Sequence, residues 1–510
     1  MEPETTNKDS LARIIISIML GVFLAGIDAT VVVTAMPTVV ADLGGLSLYS
    51  WVFSAYMLTT AVAMPVFGKL SDLYGKKNSF YVAVGFFLLG SALSGLSENM
   101  VQLVIFRGLQ GVGAGGLAAV PFALIGSVFP VHRRGRAYGL ISAVWAISSI
   151  IGPMLGSLIV LQLSWRCVFY INIPIGITAA VLLSASYREI VTPRRAPIDW
   201  FGAFALTLTI TSLLLVFLQL GEGVAILTPE VAGLSVFFVF WLIVFVLREQ
   251  RARDPLLSVN FFRVRAFSTG NVLGFLAGFC FFGVIAYVPL FVQNIQGGSA
   301  ADVGLVITPL AIGWSGASII VGNRLHRTGE KIIVRYGILA MLLGFGMAFF
   351  LQYDAPVWYV LACMLVIGVG MGMQTPALLL IVQNSLGASV IGVATSIHML
   401  IRTMGGAVGV SLMGAVLTGS MLSKFAALST RGTLETFPAE VQQHFGDPHQ
   451  LLSESVRSLM NVEQSILILR TFTAALHEMF VVGIVAMAAS WILSSYLQRT
   501  TLTKDIRPSS

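Results

Sequence analysis

The sequence predicts an all-α integral membrane protein of fourteen transmembrane helices, arranged as two six-helix bundles with two additional helices inserted between them. Three observations carry this. Of 510 residues, 56% are hydrophobic and only 10% charged, with a mean hydropathy of +0.89. A soluble domain carries roughly 25% charged residues, and its interior cannot hide so much apolar surface. Apolar runs long enough to cross a bilayer, about 20 helical residues each, recur with centres near residues 25, 60, 88, 113, 148, 177, 209, 239, 280, 312, 342, 371, 406 and 487. Finally, glycine patterns return at a nearly constant distance: Gly68 and Gly75 at Gly322 and Gly329, "GVGAGG" (111–116) as "GVGMGM" (368–373), and Gly152 at Gly405, offsets of 254, 257 and 253.

Each run has to be helical, because lipid offers no partner to an open backbone group. The gaps are mostly short, so neighbouring runs are antiparallel, and an even number places both termini on one side. Internal repeats of this kind mark transporters. Six helices occupy about 190 residues, so an offset near 255 leaves room for two more, over 199–219 and 230–248. The chain therefore divides into a first bundle at 1–190, an inserted pair at 191–260 and a second bundle at 261–510.

Charge gives the sides. With the N-terminus inside, the 30 basic residues split 23 on the inner segments, 5 on the outer ones and 2 (Arg107 and Arg402) within spans. This asymmetry places both termini in the cytoplasm and accounts for the net charge of +7 without nucleic acid. The three cysteines, Cys167, Cys280 and Cys363, sit in or beside apolar stretches with no metal-ligand spacing, and read as buried small hydrophobes. The polar N-terminus runs into the first span without a cleavage signature, so no removed signal peptide is expected. One outer connection is long: 422–478, the extracytoplasmic segment of the second bundle. Its apolar positions Ile466, Leu469, Phe472 and Leu476 recur at helical spacing, which predicts short amphipathic helices along the membrane surface.

Between the second and third runs, "GKLSDLYGKK" (68–77) crowds charge and glycine into a short gap, echoed by "GNRLHRTGEK" at 322–331. Gly68 and Gly75 let helix ends pass closely. Lys76 and Lys77 anchor the inner face, and Asp72 can accept hydrogen bonds from a neighbouring helix N-terminus or pair with a base. In the echo His326 stands where Asp72 would, so that copy reads as more structural.

Asp28, in "LAGIDATVVVTAMP" (24–37), is an acid deep inside a span. A charge there costs several kcal/mol, roughly 2.5–3.5 on insertion scales. A lone carboxyl in such a place holds a proton rather than its charge, which suits a proton carrier; a structural hydrogen-bonding role is the other reading. Arg107, in "LVIFRGLQGVGAGG" (103–116), keeps its charge and needs a partner. Both lie in the outer halves of their spans, so the two are expected to pair. The small residues beside Arg107 also permit close helix packing.

Other polar and aromatic residues in the spans are candidates for a substrate cavity. His398 and Arg402 are four apart and share one helical face; they could line a cavity or cap a helix contact. Gln293 and Gln374, with Asn294, Gln383 and Asn384, are weaker. Tyr56, Trp145, Phe279, Phe282, Met373 and Met399 offer a soft, aromatic surface to apolar ligands.

Taken together, these stretches resemble the motifs of the major facilitator superfamily, and within it the fourteen-helix drug:proton antiporters, over nearly the whole chain. The resemblance implies that 68–77 is the signature loop that latches the two halves, with Leu73 where an arginine is common. Asp28, Thr30 and Pro37 match the helix-1 motif, and Arg107, Gln110, Gly111 and Gly113 the helix-4 motif. "SSIIGPMLGS" (148–157) resembles the antiporter motif through Gly152, Pro153 and Gly156, whose Gly-Pro bends the helix and seals the cavity on one side. "WRCVFYINIPIG" (165–176) resembles the start of helix 6, read as an interfacial anchor.

The expected function is therefore secondary active export of lipophilic or cationic compounds from a cell membrane, driven by protons through alternating access. Export of a specific metabolite, siderophore or lipid by the same fold is the alternative. No GxxxxGK[ST] and no soluble domain that could hold ATP are present, and no cluster of catalytic residues stands at one depth. An enzyme is thus not expected, and neither is a metal or cofactor beyond the proton gradient. The partners implied are a small-molecule substrate and the bilayer, with the chain acting as a monomer.

Overall fold

A computed structural model describes residues 8–45, 48–187, 189, 199–221, 228–252, 255, 257–296, 300–387, 390–430, 437–442, 456 and 458–497. Among these there is no strand. Fourteen helical stretches are long and apolar enough to cross a membrane; in the sixth, Cys167–Ser186, a short helix, Cys167–Tyr170, runs into the longer one. The long helices are α1 (Lys8–Leu43), α2 (Tyr49–Tyr74), α3 (Lys76–Gly95), α4 (Met100–Val128), α5 (Val131–Gln162), α6 (Asn172–Ser186), α7 (Trp200–Gly221), α8 (Pro229–Arg251), α9 (Arg265–Asn294), α10 (Ala300–Thr328), α11 (Glu330–Phe349), α12 (Val357–Ser385), α13 (Ile391–Thr430) and α14 (Val462–Ser494).

Local chemistry sets several of the ends. Asn99 caps α4 by accepting from the Gln102 amide at 2.9 Å. Asn461 and Gln464 form a reciprocal capping box at α14. Prolines 37, 65, 121, 153, 289, 309 and 376 lie inside helices without ending them. That is tolerated where neighbouring helices, rather than water, surround the backbone.

The internal repeat is physical. In the first bundle α4 packs between α2 and α3; in the second, α12 packs between α10 and α11. Glycines allow both approaches. A side chain at Gly113 would strike the Phe87 backbone, and one at Gly370 would fall 2.7 Å from the Gly337 carbonyl. Likewise α1 packs on α5 through Gly152 and Gly156, and α9 on α13 through Gly405 and Gly409. Gly75 and Gly329, at the α2–α3 and α10–α11 turns, both adopt positive φ, 91° and 84°, a region that favours glycine. Between the bundles α7 pairs with α8 and touches α2 on one side and α13 on the other.

The segment 422–478 differs from its expected form. Residues up to Thr430 continue α13, and from Val462 onward they belong to α14. Phe472 and Leu476 are therefore core residues of the last spanning helix. The apolar periodicity was real, but the capping box starts one uninterrupted helix. Between these helices the structure describes a short helix, Ala439–Gln442. Phe437, Val441 and Val456 are buried in the second bundle's core, so these parts pack inward. Residues 431–436, 443–455 and 457 lie outside the described residues.

The bonds and glycine contacts joining the two bundles lie at the helix ends that carry Lys69, Lys76, Lys77, Arg133, Arg134 and Arg324, called the basic side below. Gly135 on α5 abuts Gly322 on α10, and Gly139 abuts Ser318 and Ile319. Tyr138 donates to Gln383 Oε1 at 2.6 Å, and Arg134 Nη1 lies 3.4 Å from Asn384 Oδ1.

Candidate functional site

Asp28 and Arg107 meet in the interior of the first bundle. Arg107 Nη1 lies 2.6 Å from Asp28 Oδ2, with both side chains within 1% of complete burial. The same nitrogen donates to Gln110 Oε1 at 2.7 Å, and Gln110 Nε2 donates to Asp28 Oδ1 at 2.8 Å. Asn172, on α6, donates to Asp28 Oδ1 at 3.1 Å and to Ser91 Oγ at 3.0 Å. Tyr56 lays its ring over the guanidinium, 4.1 Å from centroid to Cζ. Asp28 is therefore not isolated: α1, α4 and α6 converge on it, and three donors replace the water it has lost. Removing one partner of such a pair costs about 3–5 kcal/mol. Arg107 Nε is buried without a partner.

One turn beyond Asp28, α1 meets α5. Side chains at Gly152 and Gly156 would collide with Thr30 Oγ1 and Thr34 Oγ1, and Thr30 donates across to the Ser148 carbonyl at 3.2 Å. Glycine at both positions is thus what lets the two helices touch.

At the basic side, Asp72 accepts from the amides of Gly392 and Val393 at 2.9 and 2.8 Å, so a carboxylate from the first bundle sits on the N-terminus of α13. Lys76 Nζ stands 3.7 Å from the same carboxylate. A side chain at Gly68 would run into Ser396 Oγ, and a Cβ there would lie 2.8 Å from the Gly392 carbonyl. Glu189 accepts from the backbone amides of Lys76 and Lys77 at 2.9 and 2.7 Å, capping α3. Lys77 Nζ donates to the Tyr187 carbonyl. Lys69 Nζ reaches the Pro255 carbonyl at 3.0 Å, which ties the loop to the chain leaving the inserted pair. Gly75 supplies the turn between α2 and α3. His326 has no described side chain.

The remaining candidates scatter. Phe279 is buried, its carbonyl against Gly409, and Phe282 packs its ring on Gly406, so both serve the α9–α13 contact. Gln374 is buried between α11 and α12, its Nε2 3.0 Å from Met341 Sδ, and Met399 is buried in the core shared by both bundles. Gln293 is exposed. Met373 lines a cleft of about 480 Å³ between α10, α11 and α12, with Arg324 and Tyr336. Trp145 is half-buried beside Gly26. His398 is buried, its Nδ1 3.3 Å from Asn271 Oδ1, and Arg402, one turn on, is part-buried. Sequence reasoning missed Asn172, Glu189, Tyr138 and the cross-bundle role of Gln383. Trp165 and Arg166 both donate to Asp42 Oδ2 at 2.9 Å; Trp165 is buried in the first bundle, and Asn172, a few residues on, is fully buried.

A sequence model of the family described as Major Facilitator Superfamily matches residues 18–410. The chain belongs to that superfamily. Multidrug resistance protein 3 of Bacillus subtilis (strain 168) is 33% identical over 460 residues, 90% of this chain and 89% of that protein. Multidrug transporter protein MdtP of the same strain is 32% identical over 525 residues, 99% and 96% of the two chains. Efflux pump dotC of Dothistroma septosporum (strain NZE10 / CBS 128990) is 31% identical over 430 residues, 82% of this chain and 73% of that one. Two solved structures share the fold at 14% identity. The human organic anion transporter MFSD10 has a TM-score of 0.62, covering 93% of this chain and 99% of that one. The proton:xylose symporter XylE has a TM-score of 0.58, covering 97% of each. This major facilitator protein is thus a multi-pass membrane transporter whose relatives include multidrug and efflux pumps.

Proposed function

We propose that this transporter exports lipophilic, amphiphilic compounds, cationic ones included, in exchange for protons, with the basic side and both termini in the cytoplasm of a cell-membrane monomer. The observation that carries the reading is the fully buried Asp28–Arg107 pair, held by Gln110 and Asn172. Ionisable groups at such depth are costly and mark ion pathways. In this scheme, a proton arriving on Asp28 removes the ionic partner of Arg107, which keeps Gln110 and the Tyr56 ring. The change is felt on α1 beside Thr30 and Thr34, where α1 bears on Gly152 and Gly156 of α5. Helix α5 in turn carries Gly135 and Gly139, which seal the basic side against α10. Protonation on α1 would then loosen or tighten that seal, giving alternating access without nucleotide or other cofactor. The Asp72 bonds to α13 hold the same side closed.

The test is transport in proteoliposomes under an imposed pH gradient, following ethidium with the wild-type protein and Asp28→Asn. Gradient-driven ethidium movement that disappears in the variant is the expected result. Equal transport by both proteins would leave Asp28 a structural residue and overturn the coupling scheme.

A further inference from the structure

The charges in the middle of the spans do not balance. Among the described residues, Asp28 is the carboxylate there, and Arg107, Gln110 and Asn172 occupy it fully. Arg402 is a second guanidinium. No described carboxylate lies within ion-pair distance of it, and its Nε is buried with no hydrogen-bond partner. Arg402 stands ten residues beyond Gly392, about 15 Å along α13 at 1.5 Å per residue. That puts it near the middle of a hydrocarbon core of about 30 Å. Arginine keeps its charge there and needs a planar acceptor.

The local fold makes room for this group. On α9, Gly274 faces the His398 ring, where a Cβ would lie 2.6 Å from Cε1, and Gly278 lies against the Arg402 carbonyl, where a Cβ would also lie 3.1 Å from Cγ. Asn271, one turn below, holds His398 through Nδ1. The repeat shows which way this face looks. Gly152 on α5 and Gly405 on α13 are repeat partners 253 residues apart, packed on α1 and α9 respectively, so at the same offset Trp145 and Ser149 hold the places that His398 and Arg402 hold in the second bundle. All three of Trp145, Ser149 and Arg402 are part-buried, and the contacts sealing the basic side, Gly392 and Ser396 on α13, lie below Arg402.

We infer that Arg402, oriented on the glycine face of α9 with His398 beside it, is the anion subsite of the transport cavity, and that it selects amphiphiles bearing a carboxylate or a similar planar oxyanion. The bidentate fork of the guanidinium matches that group, and the aromatic surface at Trp145 suits the apolar remainder. This deepens the export reading above and rests on it for the cavity, but the measurement that tests it needs no proton gradient.

Equilibrium binding of rhodamine B, which carries a free carboxylate, is compared with that of its ethyl ester by fluorescence anisotropy, using the full-length protein in nanodiscs at a single pH. The expected result is at least tenfold tighter binding of the acid by the wild type. In Arg402→Gln that preference falls to within twofold while ester affinity is kept, which also shows the variant folded; Arg402→Lys recovers part of it. Equal binding of acid and ester by the wild type, tighter binding of the ester, absence of acid binding, or a preference that survives Arg402→Gln overturns the subsite. Equal ethidium transport by the wild type and Asp28→Asn, by contrast, would strike the coupling scheme and leave this binding ratio untouched.

Discussion

Asp72 of the first bundle holds the amide of Gly392 in the second at 2.9 Å, across 320 residues of chain. With the neighbouring bond to Val393, this carboxylate fastens α2 to the N-terminus of α13. Hydrogen bonds to a charged group contribute about 1.5–3 kcal/mol each. Asp72→Ala therefore shifts the protein toward the state open at the basic side. Spin labels at the exposed positions Asn78 and Tyr336, on α3 and α11, should report a longer distance population that is minor in the wild type. An unchanged distance distribution would falsify the latch.

Gly68 sits so close to Ser396 that no side chain fits. Gly68→Val is expected to separate α2 from α13, reducing transport of any substrate by a factor of ten or more and lowering the melting temperature. Overpacking of this kind costs about 1–3 kcal/mol. Pairing Gly68→Ala with Ser396→Gly should restore part of the activity lost in Gly68→Ala alone, because the second change removes the colliding hydroxyl. Full additivity of the two defects would count against the contact.

Glu189, just past the end of α6, caps α3. Glu189→Ala exposes two backbone amides and removes an anion from a helix N-terminus, a loss of about 1–2 kcal/mol. Thermal unfolding in detergent should show a drop of a few degrees, largely restored by Glu189→Asp if the shorter side chain still reaches one amide.

The inserted pair has a pH signature. Desolvation pushes the Asp199 carboxyl upward, but the bonds from Arg248 and the Gly202 amide outweigh it and hold the group below its usual range. A depressed carboxylate contributes stability that is present above its unfolded value near 3.9 and is lost as pH falls through the folded value. Arg248 is nearly half exposed, so the contribution is below about 1 kcal/mol. Asp199→Asn should therefore melt slightly below wild type at pH 6, with the gap closing below pH 4. A gap that widens on acidification would contradict the assignment.

Much of this was readable in the sequence where polarity stood out against an apolar background. Asp28 and Arg107 were conspicuous because each is a lone charge in a greasy run, and each demanded a partner. Gly75 and Gly329 were conspicuous because both interrupt helices at the same register. Residues whose importance lies in which way they face were less readable. Gln374 and Phe279 pack against neighbouring helices rather than a cavity, and Asn172 was hidden in a motif that begins at the membrane edge. In water an apolar stripe tells the inner face of a helix from the outer; in lipid both faces are apolar and the stripe fades. Glu189 could not be found at all, since its partners are backbone amides more than 110 residues away and amides leave no mark in a sequence. The course of 462–478 departs from its sequence expectation for a related reason: a surface helix and the first turns of a long spanning one share the same periodicity.

The inserted helices have a consequence for how solutes reach the protein from the bilayer. Helix α7 bridges α2 and α13, with Ser411 bonded to the Phe217 carbonyl, while α8 turns most of its surface to lipid. The seam between the bundles on that flank is roofed over. Among the described helices nothing comparable covers the opposite seam, where α5 meets α10. The α5–α10 seam, closed by direct helix packing through Gly135, Gly139 and Gly322, therefore faces lipid directly, whereas the α2–α13 seam meets it only behind the inserted pair, so the two flanks present different surfaces to a compound dissolved in the membrane.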